Sequence, residues 1–417
     1  MTAFASFALL LLSACSSDDA GRQRKARELI GEERYEEARA ELQAVEVLNA
    51  DGWLATGVLR GEDGDDEGAL EAFSEGLTIE PLPELYVNDC IVRLRLSRGA
   101  MAACQKAVLE APLDPRASVG LAEAATREGS TEAAKEALFT ASDLVGEDRD
   151  TMAWMAEVWA ALDELEAACT WGVRSGVDST VTGTSCVHAG RPQEGIAILE
   201  RVGDAPACRI LFTFTLDEAE ASPEGPVRQK AIGRAERWER CTVDEGQASM
   251  LVDRGRLLML TGDRLSAEAL WRQAILLAPD EVAPRLNLAR SLLHRGQSEG
   301  RELLEQSSTF HTAPGLVFSL ELVALDREGG KLEAALRRAQ EAAAGCLFVE
   351  SSPCSAQANY EIARLHALRG EQSLSLAALE RALEHGGPSL KPRIEAEPDF
   401  GDLREGLAYY DLVNSSP

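Results

Sequence analysis

Nine cysteines stand in this chain, at positions 15, 90, 104, 169, 186, 208, 241, 346 and 354. Cysteine can cross-link, bind metal or attack as a thiolate, and its surroundings decide which. Cys186-x-His188 with Cys169 makes half a metal site, but no fourth ligand suggests itself. The five histidines, 188, 294, 311, 366 and 385, are scattered. The acidic run from Glu62 to Glu67 lacks the ligand spacing of a calcium loop and falls where a turn is expected. No Gly-x-Ser-x-Gly elbow, no phosphate-binding glycine loop and no His-Glu-x-x-His occurs. The expectation is a chain with no catalytic residue, no metal and no cofactor.

The elements that position these residues are legible from composition. The 417 residues carry 70 acidic and 42 basic side chains, a net charge of -28. Residues 1–200 hold 37 acidic against 17 basic, and the remainder 33 against 25. Such a surface repels phosphate, so nucleic acid is excluded as a partner. Ala, Leu, Glu and Arg dominate, and all favour helix. The one long apolar run, in residues 1–15, is shorter than the roughly 20 residues of a membrane span and suits a signal-peptide core.

Internal repetition comes next. A glycine is followed after five residues by a small residue. A large apolar residue follows four later, a small one three later, and a proline five after that. Gly64, Ala69, Phe73, Gly76 and Pro81 obey this spacing, as do Gly262, Ala267, Trp271, Ala274 and Pro279. Gly129, Ala134, Leu138 and Ala141 match up to the proline, and Gly330, Ala335, Ala339 and Ala342 match more weakly. Positions four apart share a helical face, glycine ends one helix and proline the next. Each unit therefore reads as a helical hairpin of about 34 residues whose apolar face needs a stacked neighbour.

This spacing resembles the tetratricopeptide repeat family. The resemblance implies an all-α, right-handed superhelical α-solenoid of about ten to eleven hairpins with a C-terminal capping helix. Hairpins are expected near 20–49, 50–83, 84–114, 115–148, 149–177, 180–203, 206–241, 248–281, 282–307, 316–345 and 356–387. The domain reading is an N-terminal array over 20–205, an atypical long hairpin over 206–245, a C-terminal array over 246–388 and a capping segment over 389–417. In that segment Leu403, Leu407 and Tyr410 are expected to face inward, and Asp402, Arg404 and Glu405 outward. A related α-repeat of different period is the rival reading.

In an antiparallel hairpin, residues equidistant from the turn lie side by side. Cys90 and Cys104 are centred on Ser97, Cys169 and Cys186 on Val177-Asp178, Cys208 and Cys241 on Glu224-Gly225, and Cys346 and Cys354 on Glu350. All four centres fall on expected turns, so four sequential disulfides are predicted, against eight buried thiols as the alternative. Cys15 is left over. Leu12-Ser13-Ala14-Cys15 resembles a bacterial lipobox, although no Lys or Arg precedes the apolar core. The resemblance implies a lipoprotein signal peptide over 1–14, a lipidated Cys15 with a polar tether over 15–19, and an address in the cell envelope, at the outer membrane facing the periplasm.

Function follows from these parts as an expectation. A solenoid of this family binds protein or peptide partners in its concave groove, which the first helix of each hairpin lines. The ninth places counted from 248, 282 and 356 hold Arg256, Arg290 and Arg364, with Met259, Leu293, His294 and Tyr360 nearby. Arginines flanked by apolar residues suit an extended peptide bearing carboxylates. Ala324 interrupts the column. The leading reading is a membrane-anchored scaffold that assembles or regulates an envelope machine. The alternatives are a structural spacer without a ligand, and an enzyme hidden in 149–245, where Trp154, Trp159, Trp171, Cys169, Cys186 and His188 cluster.

Overall fold

The computed structural model describes residues 18–242, 247–309 and 312–415. The lipobox, Cys15 and the signal-peptide segment lie outside these residues. Every regular element among the described residues is helical. In chain order the hairpins are α1 (18–31) with α2 (Tyr35–Gln43), α3 (Ala50–Glu62) with α4 (Asp66–Ile79), α5 (Pro83–Leu96) with α6 (Ala100–Glu110), and α7 (Pro115–Arg127) with α8 (Thr131–Leu144). Then follow α9 (Arg149–Ala161) with α10 (Leu165–Ser175), α11 (Thr180–His188) with α12 (Pro192–Val202), and α13 (Ala205–Ala221) with α14 (Pro226–Glu239). The last are α15 (Ala248–Thr261) with α16 (Arg264–Leu277), α17 (Val282–His294) with α18 (Glu299–Ser307), α19 (Ala313–Glu328) with α20 (Leu332–Phe348), and α21 (Ser352–Leu368) with α22 (Gln372–Gly386). Each of the eleven falls on a hairpin expected from the spacing. The chain divides into two compact units, Met1–Leu211 and Phe212–Pro417, with the boundary inside α13.

Turn chemistry sets the hairpins. Gly64 and Gly262 take φ of 80° and 95°, a region closed to most side chains, and so let the first helix stop abruptly. The following aspartates then cap the second helix: Asp65 accepts from the Gly68 amide at 3.0 Å and Asp263 from Ser266 at 3.3 Å. In the first, third and fifth hairpins Glu33, Ser97 and Asp163 take a left-handed position in the turn.

Packing inside a hairpin follows a size rule. A Cβ on Gly57 would lie 2.2 Å from the Phe73 ring, and one on Gly255 would lie 2.3 Å from the Trp271 indole nitrogen. Each glycine stands sixteen residues before its aromatic partner. At the same offset, Ala122 precedes Leu138, Ala363 precedes Leu379 and Val323 precedes Ala339, and each of these pairs shares a core cluster. As one member shrinks the other grows. A small residue is matched with a larger one at one place in five hairpins, as a close-packed interior favours.

Three cross-links are seen directly. Cys90–Cys104 joins α5 to α6, Cys169–Cys186 joins α10 to α11, and Cys346–Cys354 joins α20 to α21. Cys208 and Cys241 are disulfide-bonded as well. The bridges sit at Cα separations of 4.7, 4.7 and 5.4 Å, close to the ordinary spacing.

The C-terminal segment departs from the expectation of one closing helix. It contains a 3-10 turn (Gly387–Leu390), α23 (Lys391–Ala396), a second 3-10 stretch (Pro398–Leu403) and α24 (Leu407–Ser415). Leu403 is buried, but Leu407 and Tyr410 are 82% and 63% exposed, while Tyr409 and Val413 enter the core. The reason is phase. The helical path breaks at 404–406, so the inward stripe restarts two residues later than an unbroken helix would place it. Asp402, Arg404 and Glu405 face water, as expected of a cap.

Candidate functional site

The inner-face arginines of the C-terminal unit are paired within the chain. Arg256 on α15 donates to Glu220 at 2.7 and 2.9 Å, to Asp217 at 2.5 Å and to Asp253 at 3.0 Å, with its side chain 17% exposed. Burial works against its charge, but the carboxylates of Glu220 and Asp217 outweigh this and hold its pKa well above the ordinary value. Arg290 on α17 forks onto Glu321 of α19 at 2.7 and 2.8 Å. Arg364 on α21 donates to Asp399 at 2.9 Å and lies 3.1 Å from Glu397 and 3.5 Å from Glu361. Arg327 of α19 reaches Glu361 and Asp399, each at 3.6 Å.

In the structure the three arginines expected as a peptide-binding column, Arg256, Arg290 and Arg364, are stitches between successive elements. A carboxylate held on the neighbouring helix presents a far higher local concentration than a free ligand. Tyr360, expected beside them in the groove, is not at a surface. It is fully buried, donates its hydroxyl to Glu397 at 2.8 Å and meets Phe400 edge-on at 5.9 Å. Burial and the Glu397 hydrogen bond push its hydroxyl well above the ordinary tyrosine range. Met259 and Leu293 are half-buried against the cores around Trp271 and Phe318. His294 is exposed, with Nδ1 3.2 Å from Arg264.

The N-terminal unit presents a different inner face. Helices α1, α3, α5 and α7 line a cavity of about 630 Å³. Ile30, Val58 and Ile91, one from each of three successive first helices, supply half-buried apolar surface. Charged groups surround it. Arg27 bridges Asp51 at 2.7 Å and Glu84 at 2.5 Å, fixing α1 against α3 and α5. Arg116 pairs with Asp114 at 2.6 Å, and Arg95 lies 3.3 Å from Asp66. The Asn88 amide donates to the Glu84 carbonyl at 2.8 Å, which fixes the side chain at the cavity wall. An apolar floor with fixed polar walls is the composition of a binding cleft. Sequence reasoning passed over this face because it followed charge. The same ninth-place count started at 50 lands on Val58.

Trp154, Trp159 and Trp171 meet around one core, whereas Cys169 and Cys186 belong to the next. Trp159 is buried in the core, Trp154 donates to Glu123 at 2.6 Å, and Trp171 stacks on Arg174 at 4.8 Å. Cys169, Cys186 and Glu194 bring donor atoms within 4.8 Å of one another, but the two sulfurs are bonded together. Neither is a thiolate in this state, and Glu194 pairs with Arg191 at 2.5 Å.

No family model and no curated protein matches the chain. Among solved structures it is similar to a human IFIT1 dimer with PPP-AAAA, at TM-score 0.34 and 14% identity over 93% of this chain and 86% of that one. It is similar to a monomeric IFIT1 mutant with Gppp-AAAA, at 0.34 and 12% over 86% and 79%. It is also similar to an APC/C hetero-tetramer of Cut9 and Hcn1, at 0.32 and 8% over 87% and 96%. At such TM-scores, what those proteins bind carries no argument for this chain.

Proposed function

We propose that this chain is a membrane-anchored scaffold of the bacterial cell envelope that binds an extended segment of a protein partner in the N-terminal inner groove. The observation that carries this reading is the cavity floored by Ile30, Val58 and Ile91 and walled by Asn88, Arg95 and Arg116. An extended peptide can set apolar side chains on that floor, between polar walls that the chain's own carboxylates and carbonyls hold in place. The tetratricopeptide-like spacing supports the same use of the surface. The C-terminal unit fits the spacer reading, because its arginines on α15, α17 and α21 are neutralised by its own carboxylates. Assembly or regulation of an envelope machine is the role such a scaffold serves.

The anchor rests on Leu12-Ser13-Ala14-Cys15. Cys15→Ser is expected to move the protein from the membrane pellet to the soluble periplasmic fraction, because acyl chains supply about 0.8 kcal/mol per buried CH₂. A variant that still pellets with membranes would remove the lipoprotein reading and leave the groove reading standing. The groove itself is tested by a photo-crosslinking residue at Ile91, which should capture a partner in cell envelopes.

A further inference from the structure

The outer face of the third and fourth hairpins carries a second opening. A cavity of about 670 Å³ lies along α8, lined by Pro112, Phe139 and Leu144 with Glu132, Glu136 and Asp143. A second, of about 450 Å³, lies among α6, α7 and α8 and shares the walls Glu136 and Thr140 with the first, so the two adjoin along α8. Phe139 is 62% exposed, and Leu109 and Leu113, on either side of Pro112, are 75% and 80% exposed. Phe139 packs edge-on against the buried Trp159 at 5.5 Å, which holds the ring at the mouth of the opening. A rigid exposed aromatic beside a concave surface is the usual anchor of a protein interface.

Charge selects the occupant. Glu128, Glu132, Glu136 and Asp143 line the two cavities, and among the described residues none forms a salt bridge with a basic side chain. Lys135, the basic residue lining the first cavity, is paired with Glu164. These acids and the exposed Phe139 therefore line one trough, with Pro112 and Leu144 beside them. A second copy of this chain, at a net charge of -28, meets it with like charge, and an anionic lipid surface does the same. We infer that this trough docks a basic amphipathic helix of a partner protein. The partner lays apolar residues at i, i+3, i+4 and i+7 against Phe139, Pro112 and Leu144, and its flanking Lys or Arg residues meet the acids. The 14 residues of α8 span about 21 Å at 1.5 Å per residue, enough for about four turns of such a helix.

The test uses the full chain and a fluorescent 18-residue peptide of Leu and Lys patterned for one apolar face, with a Leu and Glu peptide of the same pattern as its counterpart. The Leu/Lys peptide should bind, more weakly as salt rises. Its affinity should fall at least tenfold in Phe139→Ser and in the double variant Glu132→Lys, Glu136→Lys. It should hold within twofold in Glu166→Lys, Glu200→Lys, which makes the same charge change at two exposed sites elsewhere in the unit. Unchanged helicity of each variant by circular dichroism keeps the comparison on binding. Equal binding by Phe139→Ser, an equal loss in the Glu166, Glu200 variant, or equal binding of the Leu/Glu peptide would each overturn the inference. A failed crosslink at Ile91 would leave it untouched, because that residue lines the inner groove.

Discussion

Phe73→Ala is expected to destabilise the N-terminal unit by about 3–5 kcal/mol, the usual result of emptying a buried aromatic site. Phe73 is 1% exposed, and its ring fills the space that the missing side chain of Gly57 leaves. Gly57→Ala should itself be destabilising by about 1–3 kcal/mol, because the added methyl has no room beside the ring. The informative variant is the double one. Gly57→Ala with Phe73→Leu recreates the Ala122 and Leu138 pair that the fourth hairpin already uses at the same offset. It should be more stable than the sum of its parts, with a coupling of about 1–2 kcal/mol in a double-mutant cycle. Urea titration monitored by amide exchange in residues 50–79 would read this locally, since repeat arrays need not unfold in one step. Strict additivity would show that the glycine and the ring are not one packing unit.

Arg364→Ala should release the C-terminal segment. Its guanidinium holds Asp399 and Glu397 of that segment to Glu361 of α21, with the Arg364 side chain 13% exposed and that of Glu361 6%. Without it Glu361, whose carboxyl burial already pushes up against the pull of Arg364, Arg327 and Arg393, loses its nearest counter-charge. Breaking a buried pair from one side typically costs about 3–5 kcal/mol. Amides over 391–413 should lose protection, while those of α15 and α17 keep theirs. The same contact has a pH signature. The folded chain holds the Tyr360 proton more tightly than the unfolded chain does. Its contribution is therefore complete below about pH 10 and is lost as pH rises beyond that value. Tyr360→Phe should flatten that alkaline decline. Unaltered exchange in Arg364→Ala would mean that the buried apolar residues Ile394, Phe400 and Leu403 hold the segment alone.

Hairpins were legible in the sequence because the signals that make them are local. Gly64, Asp65 and Ala69 set a turn, a cap and a close approach within six residues. The disulfide pairs were legible for the same reason, since any two consecutive antiparallel helices, within a hairpin for Cys90 and Cys104 and between hairpins for Cys169–Cys186 and Cys346–Cys354, fix which residues lie opposite. What the sequence misplaced depends on longer range. Tyr360 sits on a first helix, but its position cannot show that Phe400, forty residues on, folds back to cover it. Arg256, Arg290 and Arg364 repeat at one place, yet only the fold shows that Glu220, Glu321 and Asp399 stand opposite them. In an acidic helical array an inner-face arginine has a neighbouring carboxylate by default, so charge was the wrong guide to a free surface. The groove at Ile30, Val58 and Ile91 is marked instead by β-branched residues left half-covered on three successive first helices.

The most direct test places one photo-crosslinking residue at Ile91 and, in a parallel strain, at Arg290, then illuminates intact envelopes. Ile91 faces the N-terminal cavity, whereas Arg290 lies on the inner face already neutralised by Glu321. The account predicts a discrete protein adduct from Ile91, reduced by Val58→Asp in the same chain, and none from Arg290. Adducts from Arg290 alone would contradict it and return the binding surface to the arginine column of the C-terminal unit.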